Sequence, residues 1–222
     1  MSYKVVEKFT SINGEGLRAG EPAVFIRFAG CNLNCNYCDT SWANQPEVVF
    51  EPMTAEGIYN YIINTGLKNV TLTGGEPLLQ ENITDLLLLL GRNPNLRIEI
   101  ETNGSIDLAP YYRLNIKNLV FTMDYKLPLS RMEQQMLISN LDYLSELDVL
   151  KFVVQNVTEL KHIDEFITKY DLIEKTNLLI SPVYGAINPD TIVQYMLEHG
   201  QNDLRIQLQL HKIIWGQESR GV

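Results

Sequence analysis

Short runs of β-branched and aromatic residues recur along the chain, separated by segments whose apolar positions fall at helical spacing. The β-rich runs are Ala23–Phe28, Asn69–Thr73, Arg97–Glu101, Leu119–Met123, Leu150–Val154, Leu178–Ser181 and Leu204–Leu208. Helical patterns span Thr54–Asn64, Ile83–Gly91, Arg131–Glu146, Thr158–Tyr170 and Asn188–His199. Thr54, Thr158 and Asn188 suit N-caps, because a short polar side chain there can accept from orphan amides, and Gly66, Gly91 and Gly200 suit helix stops. Alternation of strand and helix predicts an α/β fold with a parallel sheet and right-handed crossovers. Seven strands in 222 residues fall short of a closed eightfold barrel, which takes about 250 residues, so a partial TIM-type barrel in one domain, 1–222, is the expectation.

In such folds the loops that leave the C-terminal ends of the strands carry the chemistry. Those loops hold Cys31, Cys35 and Cys38; Gly74-Gly75-Glu76-Pro77; Thr102-Asn103-Gly104; Asp124-Tyr125-Lys126; Ser181-Pro182-Val183; and His211-Lys212. All six segments should therefore share one rim.

Composition narrows the partners. With 18 Lys and Arg against 27 Asp and Glu, a net charge of -9 argues against nucleic acid, whose affinity rests on clustered cations. No signal-type apolar region opens the chain and no 18-residue apolar window occurs, so no membrane partner and a cytoplasmic location are expected. Trp42 and Trp215 read as packing residues.

All three cysteines lie in a C-x3-C-x2-C spacing among asparagines, Cys31 to Cys38. An odd number cannot close a disulfide framework, and scattered core cysteines would not cluster so. Three thiolates can wrap one soft metal centre. Structural zinc would need a fourth ligand from His162, His199 or His211. A cubane iron-sulfur cluster held by three cysteines would instead leave one iron open to an exogenous ligand. In Gly74-Gly75-Glu76-Pro77, paired glycines let backbone approach a ligand, and Glu76 offers an acceptor for a cationic amine.

The cysteine spacing, with Tyr37 just before the last cysteine, and the GGEP segment resemble the radical S-adenosylmethionine superfamily. That resemblance implies a 4Fe-4S cluster on Cys31, Cys35 and Cys38 whose unique iron chelates S-adenosylmethionine, and a 5′-deoxyadenosyl radical. A narrower resemblance rests on Ser11-Ile12-Asn13-Gly14-Glu15-Gly16, Val24 to Cys31, Cys38-Asp39-Thr40, Gln209 to Lys212 and Arg220-Gly221-Val222. These segments are similar to the 7-carboxy-7-deazaguanine synthase family. The likeness implies a homodimer on a trimmed β6/α3 core, contraction of 6-carboxy-5,6,7,8-tetrahydropterin with loss of ammonia, and a flavodoxin- or ferredoxin-type electron donor. The strand count exceeds that core, which makes the outer strands peripheral.

By position, the resemblance assigns cofactor contacts to Tyr37, Cys38, Asp39, Gly75, Glu76, Asp124, Tyr125 and Lys126. It assigns substrate contacts to Ile12, Asn13, Gly14, Glu15, Arg27, Thr73, His211 and the terminal carboxylate of Val222, and Mg2+ to Thr40. Arg27 and Glu15 suit a carboxylated pterin, which presents an anion and ring donors. Asn13 replaces a frequent Gln of that family, and Asp124 to Lys126 departs from its commoner Ser-containing version. Two other readings stay open: a glycyl-radical activase and a non-catalytic zinc module.

Overall fold

A computed structural model describes residues 2–216 and 219–222. In chain order the elements are β1 (Tyr3–Ile12), β2 (Pro22–Phe28), β3 (Glu51–Met53), α1 (Ala55–Thr65), β4 (Asn69–Gly74), α2 (Ile83–Gly91), β5 (Arg97–Thr102) and α3 (Ala109–Tyr112). There follow β6 (Leu119–Tyr125), β7 (Val149–Val154), α4 (Val157–Tyr170), β8 (Asn177–Pro182), α5 (Pro189–Glu198), β9 (Leu204–Ile206) and α6 (Leu210–Ile214). One sheet runs β3-β1-β2-β4-β5-β6-β7-β8-β9 and does not close on itself. From β2 across to β9 every pairing is parallel, whereas β1 pairs antiparallel with both β2 and β3. The parallel strands are the ones the β-rich runs predict, and the open sheet is a partial barrel. The last strand stops at Ile206, short of the expected Leu208.

The two faces of the sheet differ in chemistry. On one, Ile26, Phe28, Leu72, Ile98, Ile100 and Phe152 are essentially inaccessible and pack beneath the helices. Ile58 and Ile62 of α1, Leu86, Leu87 and Leu90 of α2, and Leu160 and Ile163 of α4 complete that layer. Burying each such side chain is worth roughly 1.5–3 kcal/mol, so the stability of the fold resides here. Because strand side chains alternate, the opposite, concave face receives Arg27, Thr73, Glu99, Glu101, Asp124 and Lys151. A packed TIM barrel fills its interior with branched apolar residues; this one lines it with charge.

Side-chain caps start two of the six described α-helices, α1 and α4. Thr54 Oγ1 accepts from Gly57 N at 3.0 Å, and Gly66 closes α1 in the left-handed region at φ 71. For α4 the cap is Asn156, whose Oδ1 accepts from the amides of Thr158 and Glu159, so the predicted cap Thr158 lies inside the first turn. Asn188 sits at the N-cap of α5 without a side-chain cap bond. Gly91 is the last residue of α2 rather than a stop beyond it.

The helix expected over Arg131–Glu146 does not form. Short 3-10 turns at Glu133–Gln135 and Ile138–Asp142 replace it, after Arg131 at φ 64. The reason is Asn140, whose buried amide accepts from Leu108 N at 3.0 Å and donates to Gly104 O at 3.1 Å and Ile106 O at 2.8 Å. A side chain that satisfies neighbouring backbone outcompetes the helical ladder. The pattern also misses β1 and β3. Only Tyr3 and Val5 of β1 are buried, which blurs its alternation, and β3 is a three-residue edge strand containing Pro52, a residue edges tolerate.

Two outcomes follow from this architecture. Asn140→Ala should cost about 2–3 kcal/mol, because three buried hydrogen bonds at about 1 kcal/mol each are lost, measured by urea unfolding. Glu99 accepts from Thr122 Oγ1, and burial, with Glu101 adding to it, pushes its carboxyl up from 4.5 to about 7. The fold thus favours the protonated form, and this contribution is present below 4.5 and disappears as pH rises through about 7. Unfolding at pH 5 and pH 8 should show Glu99→Gln losing less stability across that window than the wild type.

Candidate active site

The loops at the C-terminal ends of the strands enclose a cleft of ≈ 330 Å³. Cys31, Cys35 and Cys38 form one wall, all three free and half-buried in the loop after β2. Backbone geometry fixes this loop: Cys38 N donates to Cys35 O at 3.2 Å. Cys31 Sγ accepts from Leu33 N at 3.4 Å and from Asn103 Nδ2 at 3.5 Å. Burial pushes the Cys35 and Cys38 thiols up, and the Lys126 ammonium opposes it at both.

Among the described residues, no three His, Cys, Asp or Glu side chains converge to hold a single metal ion. The histidines that zinc would need are committed elsewhere. His162 contacts Glu133 at 2.7 Å, His199 stacks on Tyr195, and the His211 ring packs over Gly14, where an added Cβ would meet it at 2.1 Å. Thiols on one wall of an open cleft, with N–H donors and a buried cation beside them, suit a multi-iron cluster better than one ion.

The GGEP segment plays a different part from the expected one. A Cβ on Gly74, at φ 137, would lie 2.3 Å from Phe28 O, and one on Gly75 would lie 2.0 Å from Gly30 O. The glycines therefore admit the protein's own backbone at the root of the cysteine loop, while also lining the cleft. Glu76, expected to accept a cationic amine, is wholly buried and does not line the cleft. Its Oε1 accepts from Leu78 N and Thr102 Oγ1 at 3.0 and 2.9 Å, and its Oε2 from Asn103 N at 2.7 Å. That carboxylate ties the end of β4 to the end of β5.

Two further assignments move. Tyr125 faces away from the cleft, because β6 alternates: its ring sits 4.1 Å from that of Phe166 and its hydroxyl donates to Glu133. Its neighbours Asp124 and Lys126 do line the cleft. Asn13 is buried off the cleft wall, its Oδ1 accepting from Thr71 Oγ1 at 3.0 Å, so it holds the turn that presents Ile12, Gly14 and Glu15.

The floor is a chain of paired charges. Lys151 Nζ lies 3.3 Å from Glu15 Oε2 and 3.0 Å from Asp124 Oδ1, and Asp124 Oδ2 lies 3.0 Å from Lys126 Nζ. Burial would raise the Asp124 carboxyl, but Lys126 and Lys151 override it and hold it low. Conversely, burial would lower Lys151, and Asp124, Glu15 and Glu101 hold it charged. Glu15 also accepts from Ser181 Oγ at 3.0 Å and Gln209 Nε2 at 3.4 Å. Thr73 Oγ1 donates to Glu101 Oε2 at 2.6 Å.

On the facing side Arg27 Nε donates to Glu7 Oε2 at 2.9 Å, which orients the guanidinium into the cleft. Asp39 pairs with Lys212 at 2.8 Å and accepts from Thr40 Oγ1 at 3.1 Å. Arg220 stacks its guanidinium on the Trp42 ring at 4.3 Å, and Val222 and Tyr37 line the cleft. Trp42 is thus a wall of the site rather than a packing residue, and Trp215 is exposed. The sequence reading gives no role to Glu7, Glu101 or Lys151, and places Asn103 on the rim without one. Its one available signal was the Glu99-x-Glu101 alternation inside an apolar strand, which marks a polar sheet face.

The Radical SAM superfamily profile matches residues 25–123. A 7-carboxy-7-deazaguanine synthase of Clostridium acetobutylicum is 57% identical over 223 residues, covering 100% of both chains. The enzyme of that name from Leptospira interrogans is 35% identical, covering 100% of this chain and 99% of its own. The crystal structure of QueE from Escherichia coli superposes with a TM-score of 0.72 at 23% identity, covering 94% of each chain, which is a likeness of fold. Radical SAM membership implies a 4Fe-4S cluster and S-adenosylmethionine. On these relationships, matched along its whole length, the chain belongs to the 7-carboxy-7-deazaguanine synthase family of the radical SAM superfamily.

Proposed function

We propose that the chain is a carbon-nitrogen lyase that converts 6-carboxy-5,6,7,8-tetrahydropterin to 7-carboxy-7-deazaguanine with loss of ammonia, on the route to queuosine and related deazapurines. The observation that carries this reading is a single cleft with the three-cysteine loop on one wall and an oriented guanidinium on another. Among the described residues Glu7 binds Arg27 through Nε, which leaves the two terminal nitrogens for a bidentate substrate carboxylate.

Cys31, Cys35 and Cys38 would hold the cluster, and Tyr37, Cys38, Asp39, Gly75, Asp124 and Lys126 would seat S-adenosylmethionine. When bound, these groups supply a carbon radical able to take hydrogen from the substrate. The protein's own part is positioning. Thr73 and the Ile12–Glu15 turn orient the pterin ring, and Lys151, Ser181 and Gln209 hold the Glu15 side chain in place beside it. Thr40, next to Asp39, is the Mg2+ ligand in this reading, with water and substrate oxygens completing six positions. His211 and the terminal carboxylate of Val222 bound the pterin side of the cleft. A homodimer and a flavodoxin- or ferredoxin-type donor complete the reading.

A glycyl-radical activase must admit a loop of a partner protein. Here Ser219, Arg220, Gly221 and Val222 line the cleft, leaving room suited to a small molecule.

An anaerobic assay with iron-loaded enzyme, a reductant and the carboxylated pterin tests the reading. S-adenosylmethionine cleavage should depend on the pterin and yield the deazapurine, and Cys35→Ala should abolish it; deazapurine formation by Cys35→Ala would reject the reading. Arg27→Ala should raise the KM for pterin about 10- to 100-fold with a smaller effect on kcat, as expected for one charge-assisted contact of about 1.5–3 kcal/mol.

A further inference from the structure

Asn103 stands outside the cofactor and substrate assignments, yet its amide contacts a cysteine of the metal-binding loop. Its Oδ1 accepts from Ser105 N at 2.9 Å and Ser105 Oγ at 2.6 Å. Two donors on one side identify that atom as oxygen and turn the amide nitrogen the other way. Nδ2 then donates to Asn32 Oδ1 at 3.0 Å and to Cys31 Sγ at 3.5 Å. Asn32 in turn donates to Ser105 Oγ at 2.7 Å, so Asn32, Asn103 and Ser105 form a closed ring of hydrogen bonds. The backbone is anchored as firmly, since Asn103 N donates to the buried carboxylate of Glu76 at 2.7 Å.

Nothing in this ring requires the sulfur: its members satisfy one another, and the remaining amide hydrogen is directed at Cys31. Asn103 is 6% exposed and Cys31 is half-buried, so water screens the contact only in part. A donor aimed at a cluster sulfur withdraws negative charge from it, and reduction adds negative charge, so the donor favours the reduced state. We propose that Asn103 is a positioning and tuning residue for the cofactor, its amide N–H raising the reduction potential of a cluster bound through Cys31. This rests on the reading that the three cysteines hold that cluster.

The test is an anaerobic redox titration of the iron-loaded protein, followed by electron paramagnetic resonance of the reduced cluster with no pterin present. Asn103→Ala should lower the midpoint by up to about tenfold in the reduced-to-oxidised ratio at fixed poise, about 59 mV for a one-electron couple. Ser105→Ala leaves Asn103 in place but removes one anchor of its amide, and should shift the midpoint the same way by less. Should Asn103→Ala fail to assemble about four irons per chain, Ser105→Ala decides: a lowered midpoint supports the assignment and an unchanged one overturns it. With both variants loaded, an unchanged midpoint in Asn103→Ala overturns it whatever the turnover. Deazapurine formation by the wild type is read separately, so the tuning role can fail while the proposed function stands.

Discussion

The structure depends on keeping the charges of a concave sheet face compensated. An ammonium such as that of Lys151, buried at the floor of the cleft, would lose its proton or open the fold if it stood alone. Glu15 and Asp124 prevent this, and they come from opposite sides of the site. Glu15 belongs to the turn between β1 and β2, and Asp124 to β6, just past whose end Lys126 shares the cleft with the cysteine loop. One ammonium therefore couples the segment proposed to hold the pterin to the strand proposed to hold the cofactor.

A second constraint acts at the rim. The carboxylate of Glu76 gathers an amide and a hydroxyl from the exit of β5, while Gly74 and Gly75 let the exit of β4 press against the root of the cysteine loop. The three thiols consequently project from a loop whose base is set by backbone contact rather than by side-chain rotamers. Asn103 inherits its placement from the same clamp, one residue beyond the Thr102 hydroxyl that Glu76 binds.

The legible parts of the sequence were those whose signal is local. Each parallel strand, β2 and β4 to β9, is apolar enough on its helix-covered face to read as a strand, and the cysteine spacing is compact enough to read as a metal loop. What stayed hidden requires three dimensions. Glu101 and Lys151 become neighbours only when the sheet curves, and Asn140 displays its role only once the loop after β5 lies beside it. Glu76 was misread because a carboxylate after two glycines looks like a ligand binder from the sequence, whereas its surroundings make it a brace. Tyr125 was misread for a simpler reason: in a strand, adjacent residues point to opposite faces, so three consecutive residues cannot all reach one cleft.

The division of labour between the two sheet faces has a bearing on how the mature protein is made. The apolar layer lies mostly on the helix side, with Leu33 tying the cysteine loop to it, so the burial that holds the fold together makes little demand on the thiols.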